Sequence, residues 1–120
     1  NTDIFLINSY GKTKIFFNNS EHVFLGGSLM KHGGQNPLEP ARLGCNILHG
    51  PYVNNFKEIY KFLEKNKISQ KIQNQNHLTK SLEKLFNKRM VTKKTQKKLK
   101  LIGKNILEKS YNHLKLNYDF

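Results

Sequence analysis

The residues best placed for chemistry lie in Gly33-Gly34-Gln35-Asn36-Pro37-Leu38-Glu39-Pro40-Ala41. A glycine pair leads into Asn36, a good helix cap, and Pro37 then occupies the favoured first helical position. A helix that starts there leaves backbone N–H groups without intrahelical partners, which suits an anion. Glu39 falls in the first turn, where its carboxylate could accept hydrogen bonds from hydroxyls such as those of a ribose. The interval from Asn36 to Glu39 is also that of a capping box, and spacing alone favours that structural role.

Other constellations are weaker. Gly11-Lys12-Thr13 has the ending of a phosphate-binding P-loop, but that motif requires a glycine at position 6, where the chain has Leu6. Gly26-Gly27-Ser28 and Gly33-Gly34 do not have dinucleotide-fold spacing, although both stand where a strand ends and a helix begins, the usual ligand side of an open α/β sheet. His22, His32, His49, His77 and His113 show no metal-ligand spacing. His32 reads as a solvent-facing loop residue beside the presumed ligand. No Gly-x-Ser-x-Gly elbow is present, and the lone Cys45 reads as a small core residue rather than a nucleophile.

The elements that must position these residues follow from hydrophobic spacing. Asp3-Ile4-Phe5-Leu6-Ile7 predicts a buried strand, and Lys12 to Asn19 predicts a helix. His22-Val23-Phe24-Leu25 predicts a second strand, Pro37 to Leu43 a helix ending at Gly44, and Cys45 to His49 a third strand. Phe56, Ile59, Tyr60, Phe62 and Leu63 recur at helical spacing, and that helix should run to about Asn66. Ile68 to Ile72 predicts an edge strand, and Leu78, Leu82, Leu85 and Phe86 predict a helix capped by Asn76. From Thr92 onward, Leu99, Ile102, Ile106, Leu107, Tyr111 and Leu114 continue a helical stripe among lysines. Strands alternating with helices specify an α/β fold with a Rossmann-like parallel sheet and flanking helices.

The chain has 120 residues, 37% of them hydrophobic, which bounds it to one domain with a modest core and excludes wholesale disorder or a collagen-like repeat. It begins at Asn1 rather than Met and has neither a signal peptide nor an apolar run long enough to span a bilayer, so it is expected to be a fragment. One cysteine permits no internal disulfide and fits a reducing cytosol. The net charge is +13, with 21 Lys and Arg against 8 Asp and Glu. The excess is greatest beyond residue 87, which suggests a division into 1–87 and a basic helical segment, 88–120.

Three stretches together carry a resemblance: Val23-Phe24-Leu25-Gly26-Gly27-Ser28-Leu29, then His32-Gly33-Gly34-Gln35-Asn36-Pro37-Leu38-Glu39-Pro40-Ala41, then Gly50-Pro51-Tyr52 with Asn55-Phe56. In order and spacing they closely resemble the carboxyl-terminal lobe of bacterial 3-deoxy-D-manno-octulosonic acid (Kdo) transferases, over about residues 8 to 87.

The resemblance implies the second lobe of a two-lobed GT-B glycosyltransferase that holds the donor CMP-Kdo, with residues 1–87 as a donor-nucleotide-binding lobe incomplete at its amino terminus. Asn36, Pro37, Leu38 and Glu39 fall on the family's CMP-contacting segment, and Tyr10, Gly11 and Lys12 fall on another, with Lys12 where the family commonly has Glu. Gly33 and Gly34 would let the backbone approach the donor phosphate. The implied reaction transfers Kdo to a lipid A precursor at the cytoplasmic face of the bacterial inner membrane, without a metal or cofactor. The general base is expected in the absent amino-terminal lobe, so this chain alone is expected to be inactive. The rival reading is a noncatalytic nucleic-acid-binding module using Lys88, Arg89, Lys93, Lys94, Lys97, Lys98, Lys100 and Lys104. The same lysines would also suit an anionic inner-membrane surface.

Overall fold

Three short extended stretches, each followed by a helix-forming stretch, become parallel strands because a helical crossover returns the chain to the same end of the sheet each time. These strands are β1 (His22–Leu25), β2 (Asn46–His49) and β3 (Ser69–Lys71), arranged in the order β1-β2-β3. Val23 pairs with Ile47, and Leu48 pairs with Gln70. The helices are α1 (Thr13–Asn18), α2 (Leu38–Arg42), α3 (Lys57–Lys65) and α4 (Gln75–Asn87), with a 3-10 turn at Asn54–Phe56. This computed structural model describes residues 4–87 together with residues 101, 104, 105, 107–109, 111–113 and 115, all of the latter helical. The result is the expected α/β, Rossmann-like arrangement of a parallel sheet with flanking helices.

Ile47, Leu48 and His49 of the central β2 are all buried, the pattern of a parallel strand covered on both faces. α3 turns Ile59, Tyr60 and Leu63 inward while Lys57, Glu58, Lys61 and Lys65 stay exposed, as an amphipathic helix requires. Leu107 is 1% exposed and joins Leu25, Ala41, Ile47, Val53, Ile59 and Leu63 in one core.

Local chemistry explains the ends of α2. The Leu38 N–H donates to Asn36 Oδ1 at 3.0 Å, and Gly44, at φ +84, ends the helix in the left-handed region that a glycine adopts without a Cβ clash. α4 is capped differently from the expectation. The side chain of Asn74, not Asn76, accepts the His77 N–H at 2.9 Å, and His77 Nδ1 in turn accepts the Gln73 N–H at 3.2 Å. His77 thus reaches back much as Glu or Gln does in a capping box, but to the N–H of Gln73, one residue before the Asn74 cap.

The predicted first strand does not form. Residues 4–7 have no regular structure, and Ile4, Phe5 and Leu6 are 87%, 75% and 86% exposed. An apolar run becomes a strand only when a neighbour takes its backbone hydrogen bonds and covers its side chains. Among the described residues no strand pairs with this run.

Candidate functional site

The loops that leave β1 and β2 meet at the carboxyl ends of those strands and are knitted together through Ser28. Its hydroxyl donates to the Leu25 carbonyl at 2.6 Å and accepts the Gly50 N–H at 2.8 Å, while its carbonyl accepts the Tyr52 N–H at 2.9 Å. A Cβ on Gly50 would run into the Ser28 carbonyl. Two more bonds complete the seam: Gly34 N–H to the Gly27 carbonyl at 3.0 Å, and Asn55 N–H to the Gly33 carbonyl at 3.2 Å.

Gly33 and Gly34 take φ of +86° and +79°, a region side chains rarely adopt. The space beside Gly33 is filled by the Asn55 amide, and a Cβ on Gly34 would stand 3.1 Å from Val53 Cγ1. Their lack of side chains therefore serves the packing of the two loops against each other. Local spacing did not signal that Asn55 and Val53 stand beside these glycines.

A cleft of about 810 Å³ opens beside this seam, between α1, α2 and the helical residues beyond 100. Asn36, Leu38 and Glu39 line it, joined by Arg42 and Leu43 from α2, Lys14 and Asn18 from α1, and Leu101, Lys104, Glu108 and Tyr111. Among the expected site residues the fold thus gathers Asn36, Leu38 and Glu39. Pro37 is buried beneath them, Gly33 and Gly34 stay in the seam, and Tyr10, Gly11 and Lys12 precede α1 on exposed chain outside the cleft lining.

Asn36 caps α2 by itself, and among the described residues the Glu39 carboxylate has no hydrogen-bond or ion-pair partner. The capping box is not closed. An exposed carboxylate facing a cleft remains able to accept hydrogen bonds from vicinal hydroxyls of a ligand. Sequence reasoning missed Arg42, Lys14, Asn18, Glu108 and Tyr111. Helical spacing held the signal: Arg42 follows Glu39 by three residues, Asn18 follows Lys14 by four, and Lys104, Glu108 and Tyr111 recur at four and three.

Behind the cleft, α3 braces the loop from below. The Tyr60 hydroxyl donates to the Gln35 carbonyl at 2.7 Å, and the Tyr60 ring packs on His49 with centroids 4.3 Å apart. His49 is fully buried, its Nδ1 is 2.7 Å from the Gly50 carbonyl, and its Nε2 is 3.0 Å from Glu64 Oε1 without the alignment of a hydrogen bond. Burial is the main influence and holds His49 below its ordinary value of 6.5, opposed by the Gly50 carbonyl and Glu64. Burial likewise raises the Tyr60 hydroxyl above the usual phenol range, so it remains a donor.

His32 is exposed on its loop, and Cys45 is buried with its thiol toward the Phe17 carbonyl at 3.1 Å. No group of three or more His, Cys, Asp or Glu converges among the described residues, and no helix among them is long and apolar enough to cross a membrane. Of the basic residues that motivated a nucleic-acid interface, Lys88, Arg89, Lys93, Lys94, Lys97, Lys98 and Lys100 lie outside the described residues, as do Leu99, Ile102, Ile106 and Leu114. Lys104 faces the cleft.

The chain matches no protein-family model. It is similar to curated proteins named 3-deoxy-D-manno-octulosonic acid transferase from several bacteria. The Haemophilus influenzae protein is 41% identical over 63 residues, 52% of this chain and 15% of that protein. The Aquifex aeolicus protein is 27% identical over 101 residues, 84% of this chain and 29% of that protein. The Rickettsia prowazekii protein is 32% identical over 87 residues, 72% of this chain and 19% of that protein. The chain therefore matches less than a third of the length of each of these relatives.

Proposed function

We infer, from a chain that is similar over most of its length to part of the Kdo transferases, that it is the donor-binding lobe of a GT-B glycosyltransferase. The full protein would transfer Kdo from CMP-Kdo to a hydroxyl of a lipid A precursor, with CMP as leaving group. The observation that carries this reading is the unpartnered Glu39 carboxylate in a cleft large enough for a nucleotide. Glu39 accepts hydrogen bonds from the ribose hydroxyls, Asn36 and Leu38 shape the wall beside it, and Pro37 fixes the turn. Gly33 and Gly34 hold that turn against the β2 loop, while Tyr10, Gly11 and Lys12 would reach the donor from the exposed chain ahead of α1.

The catalytic base belongs to the other lobe. The part of this lobe is to hold the donor and to place positive charge where the departing phosphate gains negative charge, an electrostatic contribution rather than a proton transfer. An enzyme with a lipid acceptor works at a membrane, and the basic segment beyond residue 87 suits the anionic cytoplasmic face of an inner membrane.

Calorimetric titration with CMP and with AMP tests the donor assignment: CMP binds and AMP binds far more weakly. Equal binding of both, or of neither, counts against it. Flotation of the chain with anionic and with neutral liposomes, in competition with DNA, tests the membrane assignment. Preference for DNA at physiological salt would reverse it.

A further inference from the structure

Among the described residues Arg42 is the one guanidinium that lines the cleft, and it lies over an aromatic ring. Its Cζ lies 5.4 Å from the centroid of the Tyr111 ring, with Lys115 Nζ 6.0 Å from the same centroid. Although Glu39 and Glu108 line the same cleft, Arg42 has no ion-pair or hydrogen-bond partner among the described residues. A guanidinium lying over an aromatic face keeps N–H donors available for a ligand, and its fork of donors can bind a carboxylate or a phosphate through two parallel hydrogen bonds. A basic residue in the last turn also complements the α2 carbonyl end, but a lysine would serve that purpose equally.

We propose that Arg42, lying over the Tyr111 ring, is a specificity residue that grips an oxyanion of the donor while Glu39, one helical turn earlier, accepts its hydroxyls. Lys14 and Lys104 line the same cleft and add positive charge, so among the described residues three cations face two carboxylates there. The ligand this pattern takes is a sugar or nucleoside bearing both hydroxyls and a phosphate or carboxylate. The proposal rests on the reading of the cleft as the donor site, and either the CMP phosphate or the Kdo carboxylate could supply the oxyanion.

The test is calorimetric titration of the chain with cytidine, CMP and free Kdo, using wild type, Arg42→Lys, Arg42→Ala and Tyr111→Leu. Arg42→Lys lowers the affinity for the oxyanion ligand about tenfold, as expected when a bidentate contact becomes a point charge, and leaves cytidine unchanged. Tyr111→Leu lowers the same affinity by a smaller factor. A loss confined to CMP identifies the phosphate as the group held, and a loss confined to Kdo identifies the carboxylate. If CMP and Kdo bind both Arg42 variants as they bind wild type, the proposal fails while the donor-site reading stands. If none of the three ligands binds the wild-type chain, the donor-site reading fails and this proposal falls with it.

Discussion

The Tyr60 hydroxyl of α3 donates a 2.7 Å hydrogen bond to the carbonyl of Gln35, the residue immediately before the Asn36 cap. The bond is partly buried and joins the helix that covers β2 and β3 to the turn that aims Glu39. Tyr60→Phe leaves that carbonyl without its donor and should cost about 1–2 kcal/mol of stability in chemical denaturation. Because the bond fixes the turn, CMP affinity should fall at temperatures where the variant is still fully folded. Unchanged affinity would make Tyr60 a packing residue only.

His49 makes stability depend on pH in a defined direction. Its folded-state value is held below the 6.5 of an exposed histidine, chiefly by burial, with Lys71 lowering it and the Gly50 carbonyl and Glu64 raising it. The unfolded chain therefore binds a proton first as pH falls. Stability is full above 6.5, declines as pH drops through 6.5 toward the lower folded value, and then levels off. Denaturation midpoints measured between about pH 5 and pH 8 should show this decline in wild type and a shallower one in His49→Gln, with Tyr60 unaffected over that range. Parallel curves for the two proteins would remove His49 from the explanation.

Gly50 has no room for a methyl group, because Ser28 backbone atoms occupy the space. Gly50→Ala should destabilise the chain by about 2–4 kcal/mol, as overpacking against backbone does. Gly26→Ala is the control, since nothing lies within 4 Å of a Cβ there. Thermal unfolding of the two variants would settle the contrast, and equal melting temperatures would mean that the Ser28 seam yields.

Leu107 belongs to the core although it lies in the basic part of the chain. Leu107→Ala should cost about 2–5 kcal/mol, the usual range for emptying a leucine site in a packed interior. A cost below about 0.5 kcal/mol, the surface range, would show that the helical residues beyond 100 dock only loosely.

Much of the scaffold was legible because β1 and β2 are apolar runs bounded by turn residues, and β3 lies between Ile68 and Ile72. β1 lies between Asn18-Asn19-Ser20 and Gly26-Gly27, and β2 ends at Gly50-Pro51. Residues 4–7 carry the same local signal, but hydrophobicity states what a segment would bury and not whether a partner strand is there to bury it. The Asn36 cap and Glu39 were visible through short-range spacing. Arg42 on Tyr111, Tyr60 on Gln35 and Asn55 against Gly33 are tertiary contacts between distant positions, to which local spacing is blind. His77 escaped because histidine is an uncommon partner at that capping position.

The most direct test of the account is the affinity of wild type and Glu39→Ala for CMP and for 2′,3′-dideoxy-CMP. A charged acceptor of ribose hydroxyls is worth about 1.5–3 kcal/mol, so Glu39→Ala should bind CMP roughly ten to a hundred times more weakly. It should also no longer distinguish CMP from the dideoxy analogue, which wild type binds less tightly than CMP. If both proteins bind CMP with the same affinity, or keep the same preference between the two nucleotides, Glu39 is not the ribose acceptor and the cleft is not the donor site described.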